Sequence, residues 1–376
     1  MYSAGIYIHI PYCTIKCIYC DFFSITDQEK TIPKFISAIE REIQMCNIDT
    51  NDWKFDTIFI GGGTPSLLSA KSIELIIRSL EKKFDINDLK EFTIEVNPGE
   101  VSINKLKEFN SLGINRLSIG VQSFNTNQLK FLGRSHYPNQ SFETIKNARN
   151  AGFDNISCDL IYLIPGQSFN EWVIDLEILT KLNPDHISAY TLTLEKETEL
   201  FRRVKSKIVK MPAKNKSAEW FKKTKAILNN FGYAPYEISN FTLPKKECIH
   251  NLHYWNIHPY LGFGPSAHSF NGLKRWSNIR SLSEYINRIE SNKNPVSFEE
   301  SLTENNLFNE KIGFGIRMNS GINLGNLPEN LMRNFRQQLK QTSIKWPGCI
   351  KIKKNQLRLT EKGYQFSDLI TSDLMI

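Results

Sequence analysis

YIHIPYCTIKCIYCDF, residues 7–22, carries an apolar run straight into a loop with three cysteines, Cys13, Cys17 and Cys20. The run starts at Gly5 (GIYIHI, 5–10) and has the length and side chains of a buried strand. Five more such runs follow: DTIFIG (56–61), EFTIEV (91–96), NRLSIG (115–120), NISCDLIY (155–162) and HISAYTL (186–192). Between them, apolar residues fall at helical spacing. Residues 32–45 set Phe35, Ile36, Ile39 and Ile43 on one face, and residues 69–84 do the same with Ile73, Ile76, Ile77 and Leu80. Segments 104–109, 141–151 and 170–182 continue the alternation. Six strand–helix units in succession predict a parallel sheet with right-handed crossovers. Gly-Gly-Gly-Thr-Pro (61–65), Asn-Pro-Gly (97–99) and Val-Gln-Ser-Phe (121–124) each follow a strand. Polar chemistry gathered at the C-terminal strand ends is the layout of a (βα) barrel. The predicted class is α/β, a partial (βα)6 TIM-like barrel open on one side.

Beyond about residue 193 the alternation stops. A helix is expected over 218–230, a short strand around 236–238, and an aromatic, histidine-rich loop over 248–276. A helix capped by Thr303, a second over 330–339, and a hairpin followed by a helix within 349–370 resemble a winged-helix module. At 376 residues, one large and one small domain is the natural division. The expected boundaries are 1–240 for the barrel, 241–297 for a segment closing it, and 298–376 for the small C-terminal winged-helix-like domain.

Apolar residues make up 40% and charged residues 23%, the composition of a soluble globular protein. MYSAGIYIHIPYC lacks the charged start and long apolar run of a secretory signal. No stretch reaches the roughly 18–20 apolar residues of a membrane span, so a cytoplasmic location is expected. Much of the net charge of +8 comes from 202–225, where Glu219 is the sole acid among ten Lys and Arg. Such a stretch is a solvated face, or it draws nucleic acid, acidic lipid or an anionic ligand. The C-terminal module carries no RNA-binding signature. No nucleic acid partner is therefore expected, and an enzyme acting on RNA is the most distant reading. Cys46, Cys158 and Cys349 stand alone and read as packing residues.

The spacing Cys-x3-Cys-x2-Cys suits an iron–sulfur cluster held by thiolates. Three protein ligands for a [4Fe–4S] cluster leave one iron open, and the amino and carboxylate groups of S-adenosylmethionine can chelate it. The hard chemistry is then the cofactor's, and the protein orients it. The rival is zinc, which wants four ligands and usually paired cysteines; here only His9 stands near the three.

Together with GGGTP, this stretch resembles the radical S-adenosylmethionine superfamily. More narrowly it is similar to the oxygen-independent coproporphyrinogen dehydrogenase group and its haem chaperone branch, over nearly the whole chain. The resemblance implies that Cys13, Cys17 and Cys20 hold the cluster. It implies S-adenosylmethionine contacts from Gly61, Gly62, Gly63 and Thr64, whose bare backbone admits a ligand. Glu95, Gln122, Arg134 and Asp159 match further contact positions, and Tyr7 and Tyr19 match positions against the sulfonium and adenine. Plainer roles stand beside these: a tight turn for the glycines, helix capping for Glu95 and Asp159, and a surface ion pair for Arg134.

Two departures separate this chain from the dehydrogenases. Their pattern puts a fourth cysteine two residues after the third, where this chain has Phe22. They also carry an extension ahead of the first strand, which a strand beginning at Gly5 is expected to lack. Both differences match the haem chaperone branch, whose mark, His-Asn-x-x-Tyr-Trp, is present as His250 to Trp255. Four of the seven histidines fall between 250 and 268. The resemblance implies haem as cargo, contacted by His250, Tyr254 and Trp255, with His250 favoured as axial ligand over Cys248. The plainer role of this segment is to close the barrel. The expected function is a haem chaperone that passes haem to acceptor proteins; oxidative decarboxylation of coproporphyrinogen III is the alternative. The expected partners are haem, its acceptor proteins (membrane-bound ones touched transiently), an electron donor and a second copy of the chain as a homodimer. No catalytic residue is assigned.

Overall fold

β1 (Tyr2–Ile10), β2 (Trp53–Gly62), β3 (Glu91–Val96), β4 (Arg116–Gln122), β5 (Ile156–Tyr162) and β6 (His186–Thr191) lie side by side in chain order, each parallel to the next. The computed structural model describes residues 1–376, the side chains of Lys214 and Asn215 excepted. The crossovers run through α1 (Ile32–Met45), α2 (Ala70–Lys83), α3 (Ile103–Ser111), α4 (Thr126–Leu132), α5 (Pro138–Asn150) and α6 (Phe169–Lys181). Successive strand residues face opposite sides. Ile6, Ile8, Ile58, Ile60, Ile94, Leu117 and Ile119 join the helices' apolar faces in one buried core. The alternate positions carry the polar side chains of the concave face: Tyr7 and His9, Thr57, Glu91 and Glu95, Arg116 and Ser118, Ser157 and Asp159, His186 and Ser188. Within this interior Thr57 is bonded to His250 and Ser157 to His186, both at 2.8 Å.

After β6 come α7 (Glu199–Lys205) and α8 (Lys214–Asn230), then β7 (Ala234–Pro235) and β8 (Asn240–Thr242), which pair antiparallel at the β6 edge. The strand expected at 236–238 is not there. Tyr236 to Ser239 form the bend between β7 and β8, because Glu237 turns its carboxylate back onto the Ser239 N–H at 2.9 Å.

The expected loop over 248–276 is also corrected. It holds α9 (Ile249–Trp255), then β9 (Tyr260–Phe263), β10 (His268–Phe270) and β11 (Lys274–Asn278). β9 runs parallel to β1, and β10, β11 and β12 (Val296–Ser301) extend the sheet antiparallel from it, with α10 (Leu282–Glu290) between the last two. HNLHYW has no apolar stripe to announce a helix. What holds α9 is tertiary: the Glu91 carboxylate accepts the N–H groups of Ile249 and His250 at 2.8 and 3.1 Å.

The C-terminal residues form a second core around Phe308, Ile312, Phe335, Leu339, Leu357 and Ile370. It is built from α11 (Glu304–Gly315), β13 (Ile322–Asn323), α12 (Glu329–Lys345), β14 (Ile350–Lys353), β15 (Gln356–Leu359), α13 (Glu361–Tyr364) and α14 (Ser367–Leu374). The three strands pair antiparallel in the order β13-β15-β14. Thr303 caps α11 by accepting the Asn306 N–H. The junction with the large sheet includes a two-pronged pair, Arg275 to Glu310 at 2.8 and 2.9 Å. Among the described residues, no helix is long and apolar enough to cross a membrane.

Candidate functional site

The cysteine loop leaves β1 and is stitched at its neck: Ile25 N–H donates to the Pro11 carbonyl at 2.7 Å, and Cys13 N–H to the Ile25 carbonyl at 2.9 Å. The glycine run after β2 is bonded to the same neck, Gly63 N–H to Ile10 and Thr64 N–H to Tyr12, each at 2.7 Å. Here the structure sharpens the reading of the glycines. A Cβ on Gly63 would lie 2.6 Å from the Tyr12 carbonyl oxygen. Gly62 has φ +111° and its Cβ would lie 2.5 Å from the His9 ring; one on Gly61 would lie 2.8 Å from Phe59. These positions are bare because the protein packs against itself there.

Cys13 and Cys17 are linked by a ring of polar side chains. Thr64 Oγ1 donates to Cys13 Sγ at 3.5 Å, and Asn97 Nδ2 donates to Thr64 Oγ1 at 2.9 Å. Arg134 Nη2 donates to Asn97 Oδ1 at 2.7 Å, and Nη1 to Cys17 Sγ at 3.6 Å. Gln122, Arg134 and Asn97 crowd over Gly120, where a Cβ would fall 2.9 to 3.3 Å from them. Arg134 Nε is buried without a partner. Tyr19 sits beside Arg134, and burial pushes its hydroxyl pKa up. Burial also pushes the Cys13 thiol up, and the Cys20 thiol up to about 11. Thiols so placed ionise when a cation takes the proton's place, which iron does. Among the described residues, no three His, Cys, Asp or Glu side chains close around a single ion. The donor set suits the larger cluster: three thiols on one loop, with an orphaned guanidinium N–H beside them.

A cavity of about 440 Å³ opens next to this loop. Tyr7, Phe22, Phe23, Phe59, Tyr254 and Tyr260 give it aromatic walls, and His9, Asp21, Glu95, His250, His268 and Arg280 line it with polar groups. Phe22, 64% exposed, stands at its rim. His9 Nε2 faces the Phe23 carbonyl at 2.8 Å and therefore donates, which leaves Nδ1 to accept from the Tyr7 hydroxyl at 3.1 Å. Burial holds the His9 pKa down at about 4. Glu95 accepts the Gly62 N–H at 3.0 Å; burial, and then the charge of Asp159, raise its pKa to about 8. Burial raises Asp159 as well.

α9 enters the barrel from its open side. His250 is buried, with Nδ1 bonded to Thr57 Oγ1 at 2.8 Å, Nε2 bonded to the Tyr254 hydroxyl at 2.9 Å, and its ring 5.3 Å from Phe59. Burial lowers its pKa to about 3, so it is neutral. Both ring nitrogens are in use, and a further partner would reach Nε2 only by displacing Tyr254. Cys248 is buried beneath it and bonded to Glu91 at 3.2 Å. Trp255 lies elsewhere, edge-on to Phe314 of α11 with ring centroids 5.9 Å apart.

The structure thus brings Tyr7, Gly62, Glu95, His250 and Tyr254 to one cavity. Thr64, Gln122, Arg134 and Tyr19 gather behind Cys13 and Cys17. Asp159 sits on the concave face near Glu95, and Trp255 is not among them. Sequence reasoning weighed His9 only against zinc and quoted Asn97 only within a turn, and assigned neither to the site. Extending the period-two alternation finds both, since Asn97 follows Glu95 and His9 follows Tyr7 by two positions. Tyr260 and His268 come from the segment read as a loop and Arg280 follows it; His268 was one of the four clustered histidines, whereas Tyr260 and Arg280 had no such signal.

A family model described as the Radical SAM superfamily matches residues 7–179. The "Heme chaperone HemW" of Lactococcus lactis is 31% identical over 372 residues, covering 98% of this chain and 97% of that protein. The protein of the same name from Bacillus subtilis is 32% identical, with 95% of both chains covered. Among solved structures, the coproporphyrinogen III oxidase HemN from Escherichia coli superposes with a TM-score of 0.86 at 23% identity, covering 100% of this chain and 90% of that one. That last likeness shows the shared fold.

Proposed function

The chain belongs to the radical S-adenosylmethionine superfamily and, within its coproporphyrinogen-oxidase-like branch, to the HemW family, and from that premise we propose that it is a haem chaperone. It binds haem in the cavity beside the cysteine loop and hands it to acceptor proteins in the cytoplasm. The observation that carries this reading is the pairing of His250 with Tyr254 on the wall of a cavity whose rim holds Phe22. Phe22 stands where the related dehydrogenases have a fourth cysteine, and it makes the rim apolar. Neutral imidazole is a good haem ligand, and the aromatic walls suit a flat macrocycle. In this reading Tyr254 releases His250 Nε2 when iron arrives.

Cys13, Cys17 and Cys20 would hold the [4Fe–4S] cluster, and S-adenosylmethionine would take the remaining iron. When bound, this pair supplies one-electron reductive cleavage of the sulfonium. Gly61, Gly62, Gly63, Thr64, Glu95, Gln122, Arg134 and Asp159 form its bed, with Tyr7 and Tyr19 against it. An electron donor and a second copy of the chain complete the scheme, in which cofactor state gates haem release.

The test is anaerobic reconstitution followed by haem titration and S-adenosylmethionine cleavage on one sample. A Soret shift that His250→Ala weakens supports the carrier. Absence of any shift ends the reading. Stoichiometric 5′-deoxyadenosine with decarboxylated porphyrinogen would replace it with the dehydrogenase.

A further inference from the structure

We propose that Arg280 is the carboxylate-recognising side chain of the cavity, selecting a flat apolar ligand that carries carboxylates at its edge, and that it ties occupancy of the cavity to the cysteine loop. The inference rests on the haem reading above and names what holds the ligand's polar edge.

The cavity is aromatic on its walls, so it favours a flat apolar body. Arg280 is the permanently charged cation among its lining residues. Its Nη2 donates to the Asp21 backbone carbonyl at 2.6 Å and lies 3.6 Å from the Asp21 carboxylate. Among the described residues, Nε and Nη1 have no protein partner. The side chain is half exposed, so these donors are accessible to a ligand, and either fork of the guanidinium shares Nη2, the nitrogen that faces Asp21. A planar guanidinium with unused donors matches a carboxylate in geometry and charge. The other lining acid, Glu95, is kept largely neutral near pH 7 by burial, so it does little to repel an anion.

Asp21 directly follows Cys20. A ligand carboxylate on Arg280 therefore competes with the carboxylate of the residue next to a cluster cysteine, and the loop registers the arrival of cargo. In the absence of ligand, the exposed Arg280–Asp21 pair is weak and easily exchanged.

The experiment titrates the reconstituted protein with haem and with haem dimethyl ester, reading the Soret band, in wild type, Arg280→Gln, Arg280→Lys and Asp21→Asn. Wild type should bind haem roughly tenfold or more tighter than the ester, as expected for a charge-assisted contact. Arg280→Gln should narrow that preference to about threefold or less, and Arg280→Lys, a point charge without the fork, should keep part of it. Asp21→Asn should bind haem more tightly, because the competing carboxylate is gone. If Arg280 merely staples the loop, Arg280→Gln and Asp21→Asn would weaken haem binding alike, and the proposal falls. Equal affinity for haem and ester in wild type also sinks it while leaving haem carriage intact. If wild type binds neither, the haem reading fails and takes this assignment with it.

Discussion

Glu91 of β3 and His250 of α9 meet inside the barrel, carboxylate oxygen to backbone N–H at 3.1 Å. The same carboxylate takes the Ile249 N–H and the Cys248 thiol, and the buried Arg116 guanidinium lies 3.9 Å away. The helix that lines the cavity is thus founded on an acid of a central strand. Glu91→Ala leaves Arg116 without its nearest counter-charge and the α9 amides without an acceptor. A loss of about 3–5 kcal/mol is expected from breaking such a buried pair, read by urea denaturation. Glu91→Gln, which keeps one acceptor, should lose about half as much.

The buried state of His250 predicts a pH dependence. Its folded pKa of about 3 lies below the unfolded value of 6.5. Above pH 6.5 the imidazole is neutral in both states and the site keeps its full stability. As pH falls from 6.5 toward 3, the unfolded chain takes up a proton that the folded chain refuses, so stability falls. At pH 5 the loss is about 2 kcal/mol relative to pH 7. His250→Gln removes this titration. Denaturation of both proteins at pH 7 and pH 5 should show wild type losing more than the variant; parallel losses would contradict a buried neutral His250.

Gly62 and Gly113 separate two reasons for glycine. Both have positive φ, +111° and +87°, but an added Cβ at Gly113 meets nothing within 4 Å, whereas one at Gly62 runs into the His9 ring at 2.5 Å. Gly113→Ala should cost about 1 kcal/mol of backbone strain. Gly62→Ala should cost about 3 kcal/mol and weaken S-adenosylmethionine binding as well, because His9 and the loop neck must shift. Thermal denaturation and isothermal titration of the two variants side by side would check this.

How much of this was legible in the sequence follows from where each residue sits. Six short apolar runs alternating with helical segments announced the parallel sheet, and the cysteines and glycines after β1 and β2 announced the cofactor end. Those signals are local. α9 was not legible, because HNLHYW gives no apolar stripe and its support comes from Glu91, 157 positions away by the Cys248 contact. Tyr260 and Arg280 were hidden for a related reason: β9 becomes a strand only by docking onto β1, and Arg280 is placed by β11, which pairs with β10 and β12. Trp255 shows the opposite limit. Its motif grouped it with His250 and Tyr254, but one helical turn carries neighbours to different faces, and Trp255 ends against Phe314.

That placement of Trp255 is itself testable. Trp255→Ala removes an edge-on aromatic contact between the barrel segment and the C-terminal core, worth about 1–3 kcal/mol with the area it buries. Limited proteolysis should then release a C-terminal fragment sooner. Tyr254→Phe, one residue earlier, should leave that junction alone and instead free His250 Nε2, raising haem affinity if iron binds there.

Asn97 links the two halves of the cluster bed, donating to Thr64 and accepting from Arg134, so that Cys13 and Cys17 are held through one amide. Asn97→Ala cuts the ring at its centre. Arg134 keeps the Gly120 carbonyl at 2.9 Å and Cys17, but loses its shortest bond, and Thr64 loses the donor that orients its hydroxyl toward Cys13. Stability should fall by only about 1–2 kcal/mol, the net value of hydrogen bonds at a partly buried site. Cluster retention should suffer more, because ordering of the thiols depends on the ring whereas the barrel core does not. Bleaching of the cluster's visible absorbance in air should quicken several-fold. Asn97→Asp, which still accepts from Arg134 but cannot donate to Thr64, should fall between. If both variants bleach at the wild-type rate while Arg134→Lys bleaches faster, the guanidinium holds the loop alone and Asn97 is a bystander to it.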